Sequence, residues 1–311
     1  MSTTPLAVWL AFGGLIAVLL AIDLFVIGRG ERGMSLATAT RWSATVVAVA
    51  LLFGLHLWLT EGLTKAGEYY AGYLIELSLS VDNLFVFLMI FDYFAVPAAA
   101  QPRVLHWGIL TAIVLRGVMI FAGVLLLDRF EWIILVFGAI LVITAVKMLT
   151  QSEARIEPEK NPLVRLARRF LPVTPAFKDS QFLVRSHRGW YVTPLLLVLI
   201  VVEWSDLVFA IDSIPAVFAV TRDPFIVFSS NVFAILGLRA MFFVLADAMH
   251  RFRYLKPGVA IILAFVGVKM LASYWVHLST GVSLATIVAV LGTAIVASLV
   301  RARRERLQTG R

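Results

Sequence analysis

The sequence predicts an all-α polytopic membrane protein of about nine transmembrane helices, with an inverted 3+3 helix repeat at its centre. Three observations carry this. The 311 residues are 61% hydrophobic and only 15% charged, with a mean hydropathy of +0.93, which soluble domains rarely show. Apolar runs of about 20 residues, the length that crosses a hydrocarbon core as a helix, recur along the whole chain. Charged positions recur in the same order in two halves of it.

The predicted helices span 6–27, 41–60, 70–95, 104–127, 130–149, 192–220, 225–248, 257–274 and 282–300. The first run has no basic stretch before it and no small-residue cleavage site, so it reads as a retained helix rather than a signal peptide. Nine spans put the termini on opposite sides. Connections on one side carry 20 Lys or Arg, and those on the other carry three, Lys65, Arg129 and Arg222. The positive-inside rule then predicts N-terminus out and C-terminus in. The net charge of +8 sits in these loops, so it reads as topology and not as nucleic-acid binding. The whole chain forms one transmembrane domain, 1–311. Repeat one covers 70–149 and repeat two 192–274, with a cytoplasmic linker at 150–191 and flanking helices at 6–27, 41–60 and 282–300. In the linker, Arg165, Arg168 and Arg169 either lie on the anionic membrane surface or belong to an ordinary connection.

The repeat is visible in residues. "LIELSLSVDNLFVF" from Leu74 aligns with "VEWSDLVFAIDSIPAVF" from Val202. Glu76 and Asp82 match Asp206 and Asp212 at an offset of 130, and Asn83 and Ser213 follow the second acid of each pair. "LRGVMIFAG" aligns with "LRAMFFVLA", which places Arg116 opposite Arg239 at an offset of 123. "AVKML" aligns with "GVKML", with Lys147 opposite Lys269 at 122. Three helices per copy invert the second copy relative to the first, as in many secondary transporters, whose sites lie where the repeats meet.

Acids inside a bilayer are costly, about 2.5–3.5 kcal/mol each on insertion scales, and persist when they pair, protonate or bind something. Asp23, Glu76, Asp82, Glu203, Asp206 and Asp212 fall within predicted spans, as do Arg116, Lys147, Arg239 and Lys269. The arginines and lysines are read as charge-compensating, with Lys147 snorkelling to the interface. Purely structural ion pairs are the competing reading. Asp23 is read as a pathway residue. The acids come with Asn83, Ser78, Ser80, Ser205 and Ser213, a hard-oxygen donor set that suits Mg²⁺, Ca²⁺ or Mn²⁺. No cysteine exists. The five histidines, His56, His106, His187, His250 and His277, are off the acidic helices and are read as interfacial or loop residues.

Residues six apart on a straight helix differ by about 240° in direction. Asp206 and Asp212 therefore serve different stations along a path, or the helix breaks between them. Pro215, which cannot donate to the Ile211 carbonyl, favours a break and a freed carbonyl ligand.

"ELSLSVDNLFVF" and "EWSDLVFAIDSIPAVFA" resemble the two signature segments of the TerC/Alx family of bacterial membrane proteins, and the resemblance covers about Tyr69 to Leu271. It implies an integral inner-membrane protein of metal-ion homeostasis, notably manganese export, with a traditional link to tellurite resistance. Members have also been associated with calcium and with metal supply to secreted enzymes. The family's motif acids fall on Glu76, Asp82, Asp206 and Asp212, with Asn83 and Ser213 beside them and Glu203 in the second segment.

The expected function is thus a divalent cation transporter. Asp82 and Asp212 are the central metal ligands, and Glu76, Asp206 and Glu203 are a second set of ligands or proton acceptors. The cation is substrate, and no prosthetic group is expected. Proton antiport is a reasonable energy source, and no GxxxxGK[ST] motif offers ATP drive. The expected partners are the metal ion and the bilayer, with no nucleic acid and with homo-oligomerisation left open. Two alternatives are a metal-handing scaffold and an intramembrane aspartyl protease, which needs two carboxylates sharing a proton. The second suits the arginines poorly, so no enzyme is expected.

Overall fold

The computed structural model describes residues 4–27, 35–150, 172–178, 180–186, 189–248, 254–273, 275 and 278–309. Within these, the side chains of residues 26, 27, 82, 85, 186, 212, 245–248, 255 and 302–309 lie outside the description. In chain order the helices are α1 (Leu6–Ala21), which continues into a π-helical turn at Ile22–Ile27, α2 (Leu36–Glu61), α3 (Leu63–Tyr93), α4 (Gln101–Arg129) and α5 (Ile133–Thr150). A hairpin follows, β1 (Leu183–Ser186) and β2 (Gly189–Val192). Then come α6 (Pro194–Phe218), α7 (Pro224–Leu236), α8 (Leu238–Ala248), α9 (Leu255–Leu271) and α10 (Thr280–Thr309).

Among the described residues, eight helical stretches are long and apolar enough to cross a bilayer, α7 and α8 counting together as one. At 17 residues, α9 meets the lower limit of a span, about 17–25 residues, and completes the order of nine that the sequence predicts. Helices dominate because the bilayer offers no partner to a bare backbone group. The molecule's outer surface carries exposed Leu6, Leu59, Leu125 and Val300, as an apolar solvent permits. The exposed Trp58, Trp132 and Trp275, with Trp107 and Trp190, lie near helix ends, where indoles favour the membrane interface.

Burial decides which helices hold the interior. The α7–α8 span is 89% buried and α3 is 69%, against 22% for α1 and α2. The other helices wrap these two. The tightest pairing is α5 with α9. A Cβ on Gly138 would stand 3.0 Å from the Gly267 carbonyl oxygen, and one on Gly267 would stand 2.9 Å from that of Gly138. Lipid is as apolar as leucine, so close backbone approach at small residues drives such packing. Gly267→Val is expected to force the helices apart and lower stability by about 1–3 kcal/mol. A thermal melt of the detergent-purified variant tests this, and an unchanged midpoint would contradict it.

Three features depart from the sequence expectation. The helix does not break beside Asp212: α6 runs unbroken through Pro215 to Phe218. The proline stands three residues from the helix end, and α6, packed against α3 and α4, stays helical past it. Irregular backbone occurs elsewhere, at the π-turn Ile22–Ile27 and at Gly237 between α7 and α8. The linker contains the short antiparallel hairpin β1–β2, whose four-residue strands are too brief for a periodicity to register. Arg165, Arg168 and Arg169 lie outside the described residues.

Candidate functional site

One arginine organises the interior. Arg116, at mid-length on α4, is fully buried. Its Nη2 donates to Asp206 Oδ1 at 3.0 Å and its Nε to Asp206 Oδ2 at 3.4 Å, the two-toothed pairing that a planar guanidinium suits. Its Nη1 forms an ion pair with the Glu76 carboxylate. The same Nη1 reaches Ser213 Oγ and Asn231 Oδ1, each at 3.4 Å. Glu76, Asp206, Ser213 and Asn231 are all buried. Helices α3, α6 and α7 thus meet on a single cation from α4. Two carboxylates face one guanidinium, so the cluster keeps an excess of negative charge when both ionise.

A second arginine closes the neighbouring region. Arg239, just after the interruption at Gly237, is also buried. Its Nη2 donates to Asp23 Oδ1 at 2.9 Å and to the Asp23 backbone oxygen at 2.5 Å. That carbonyl belongs to the π-turn Ile22–Ile27. On the other side, Arg239 Nη1 lies 3.3 Å from His106 Nδ1. A guanidinium only donates, so His106 accepts through Nδ1.

Between the two arginines lies a narrow cavity of about 20 Å³, lined in part by Gly108, Glu203, Asp206, Leu238 and Arg239. That is room for about one water-sized sphere. Glu203 and Asp206 stand three residues apart, on one face of α6. Both carboxylate oxygens of Glu203 are buried without a well-formed hydrogen bond; Thr111 Oγ1, which approaches them, donates to the Trp107 carbonyl at 2.9 Å. Other buried polar atoms also lack partners: Tyr73 Oη, Ser80 Oγ, Asn83 Nδ2 and Asn231 Nδ2.

The residues expected from the sequence divide into groups. Glu76, Asp206 and Ser213 converge on Arg116. Asn83 is buried on the same helix as Glu76, and Glu203 faces the cavity. Asp82 and Asp212 sit on α3 and α6, with side chains outside the described residues. Each stands six residues beyond Glu76 or Asp206 on its helix, a rise that carries its backbone roughly 9 Å away from the Arg116 level. Asp23, expected as a pathway residue, forms an ion pair with Arg239. The lysines compensate none of the acids among the described residues. Lys147 is exposed near the end of α5, and Lys269 donates to Ser283 Oγ on α10 at 2.9 Å. Each lies within a turn of its helix end, too far along to reach the centre. Among the described residues, no group of three or more His, Asp or Glu is arranged to hold a metal ion.

Sequence reasoning missed His106, Asn231, Tyr73 and Gly108. Asn231 carried a signal, since "SSN" at Ser229–Asn231 interrupts an apolar span. His106 gave none, because its partner Arg239 is 133 residues away.

Comparison with known proteins adds a family. The model of the integral membrane protein TerC family matches residues 61–306. A membrane protein of Myxococcus xanthus designated STKORF319 is 50% identical over 295 residues, covering 95% of this chain and 92% of its own. The Alx protein of Escherichia coli K12, described as a candidate membrane-bound redox modulator, is 48% identical over 317 residues, covering 99% of this chain and 98% of its own. A Rickettsia bellii membrane protein is 39% identical over 293 residues, covering 94% and 97%. No solved structure matches the chain.

Proposed function

The chain belongs to the TerC family of integral membrane proteins, and from that premise we propose that it transports a divalent metal cation, manganese above all, out of the cytoplasm. The observation that carries this reading is Glu203. A carboxylate buried without a cationic partner among the described residues, in a cavity shared with Asp206, is stable only when a proton or a cation neutralises it. A group that alternates between the two couples metal release to proton uptake. The donor chemistry is hard oxygen throughout, which suits Mn²⁺, Ca²⁺ and Mg²⁺ over softer metals. The resemblance of the motif acids to the family's signature segments favours manganese among these.

With α6 unbroken, Asp206 and Asp212 act as successive stations, and so do Glu76 and Asp82. Arg116 holds Glu76 and Asp206 in readiness when no metal is near. The 20-to-3 bias of basic loop residues supports a cytoplasmic C-terminus and residence in a bacterial inner membrane. The redox description attached to Alx finds no thiol here, since the chain has no cysteine. A redox effect in this protein would act through the metal it moves.

Proteoliposomes loaded with Mn²⁺, Ca²⁺ or Mg²⁺, with and without a pH gradient, test the proposal. Mn²⁺ flux accelerated by an opposing proton gradient is the expected result. Asp82→Asn and Asp212→Asn are each expected to lower that flux by at least about tenfold, a loss of about 1.4 kcal/mol or more, without impairing membrane insertion. Metal binding without net flux would replace the transporter with a scaffold that hands metal to partners.

A further inference from the structure

We infer that the groove between the start of α1 and the end of α2 binds one phospholipid with a primary-amine headgroup, of the phosphatidylethanolamine class. The inference is independent of any transport. Deeper along the two helices, Ile16 and Leu19 pack with Trp42 and Val46 in one cluster. Toward the start of α1 the helices part around a groove of about 680 Å³. Its floor is a triangle of rings. Phe12 lies 5.6 Å from Phe53 and 5.5 Å from Phe225, and Phe53 lies 6.2 Å from Phe225. Its α1 wall includes Ala7 and Ala11, both exposed, whose short side chains leave the room. An apolar void forfeits dispersion contacts along its whole lining, and here the medium outside is lipid.

The α2 wall is graded in polarity. Val49, Leu52, Phe53, His56, Thr60 and Glu61 all line the groove, recurring at the spacing that puts residues on one helix face. They are apolar as far as Phe53 and polar at His56, Thr60 and Glu61. From Val49 to Glu61 the wall rises about 18 Å, one leaflet's hydrocarbon of about 15 Å and the start of its headgroup layer. Trp58, exposed on the same helix, marks that layer.

A phospholipid presents its groups in the same order: acyl chain, phosphate, amine. His56 has a ring N–H to give a phosphate oxygen. Thr60 Oγ1 gives its proton to the His56 carbonyl at 2.9 Å, so toward the groove it accepts, and the Glu61 carboxylate accepts beside it. The last carbonyls of α2, which ends at Gly62, add partial negative charge. Among the described residues no lysine or arginine lines the groove. Lys65, one turn into α3, is held by Asp223 at 2.7 Å and Glu68 at 3.5 Å. An anionic headgroup would meet a carboxylate with no cation to offset it, and a quaternary ammonium has no N–H to donate. A primary amine satisfies both acceptors. The bound chain would rest on Phe225, whose backbone N–H is capped by Asp223 at 3.0 Å at the start of α7, so filling the groove should steady the entry to the most buried span.

Delipidated full-length protein in detergent, titrated with palmitoyl-oleoyl phosphatidylethanolamine, phosphatidylcholine or phosphatidylglycerol, tests this by native mass spectrometry and thermal unfolding. One phosphatidylethanolamine per chain is expected, bound about fivefold more tightly than either competitor, the scale of one surface ion pair, and raising the melting temperature. Glu61→Lys is expected to turn the preference toward phosphatidylglycerol. Ala11→Trp fills the groove from an exposed position and is expected to abolish the bound lipid, and Ala7→Phe serves if that variant fails to fold. Equal binding of the three lipids by the parent overturns the inference. So does an unchanged preference in Glu61→Lys, or a folded groove-filling variant that keeps its phosphatidylethanolamine. A dimer that excludes lipid and is dissociated by Ala11→Trp also overturns it, since the groove then belongs to a second copy of the chain.

Discussion

Replacing Arg116 with alanine is expected to cost about 3–5 kcal/mol of stability, the range found when one partner of a buried ion pair is removed. The guanidinium is fully buried and is the counter-charge of both Glu76 and Asp206. Its loss leaves two carboxylates facing each other with no cation and strips hydrogen bonds from Ser213 and Asn231. Arg116→Lys keeps the charge but not the fork that grips both oxygens of Asp206, so it should fall between. The diagnostic variant is the triple Arg116→Ala, Glu76→Gln, Asp206→Asn. Removing all three charges together should recover most of the loss, because the penalty arises from uncompensated charge rather than from missing bulk. Unfolding of detergent-purified protein gives the comparison. An Arg116→Ala variant as stable as the parent would refute this account of the interior.

Glu203→Gln is expected to have the opposite profile. Glu203 has no ion pair to lose among the described residues, so neutralising it should leave stability unchanged or raise it, because a buried carboxylate costs more than a buried amide. Metal flux should nevertheless fall by at least about tenfold, roughly 1.4 kcal/mol of barrier, since the amide neither binds a hard cation as strongly nor exchanges a proton. Coupling to a pH gradient should disappear from whatever flux remains. A stable variant with full, pH-coupled Mn²⁺ flux would remove Glu203 from the mechanism. The contrast with Arg116 separates groups that hold the bundle together from groups held in readiness by it.

The acids themselves were legible along the chain, because a carboxylate inside an apolar run stands out whatever surrounds it. Their partners were not. Glu76, Asp206 and Asp23 were all flagged, yet only the fold assigns the first two to Arg116 and the third to Arg239. Pro215 illustrates the reverse error. A local rule suggested a break there, but α6, packed against α3 and α4, continues as a helix past it to Phe218. The irregularities that do shape the interior, at Ile22–Ile27 and Gly237, flank Arg239 and answer to contacts that no local pattern encodes. Asn231 was missed for a related reason: the polar run Ser229–Asn231 that interrupts its span gains a meaning only once Arg116 and a tight helix crossing are found beside it.

By itself the sequence determined that this is a helical membrane protein, where its helices run, and which family it resembles. These are local matters, since the bilayer demands a fixed length of apolar residues and an internally satisfied backbone from each span separately. The tertiary structure alone decided which charges meet. Arg116 and Asp206 lie 90 residues apart, and Arg239 and Asp23 lie 216 apart. Electrostatic partnership in a low-dielectric interior falls off with distance in space and is indifferent to distance along the chain, so only the packing of distant helices could settle it.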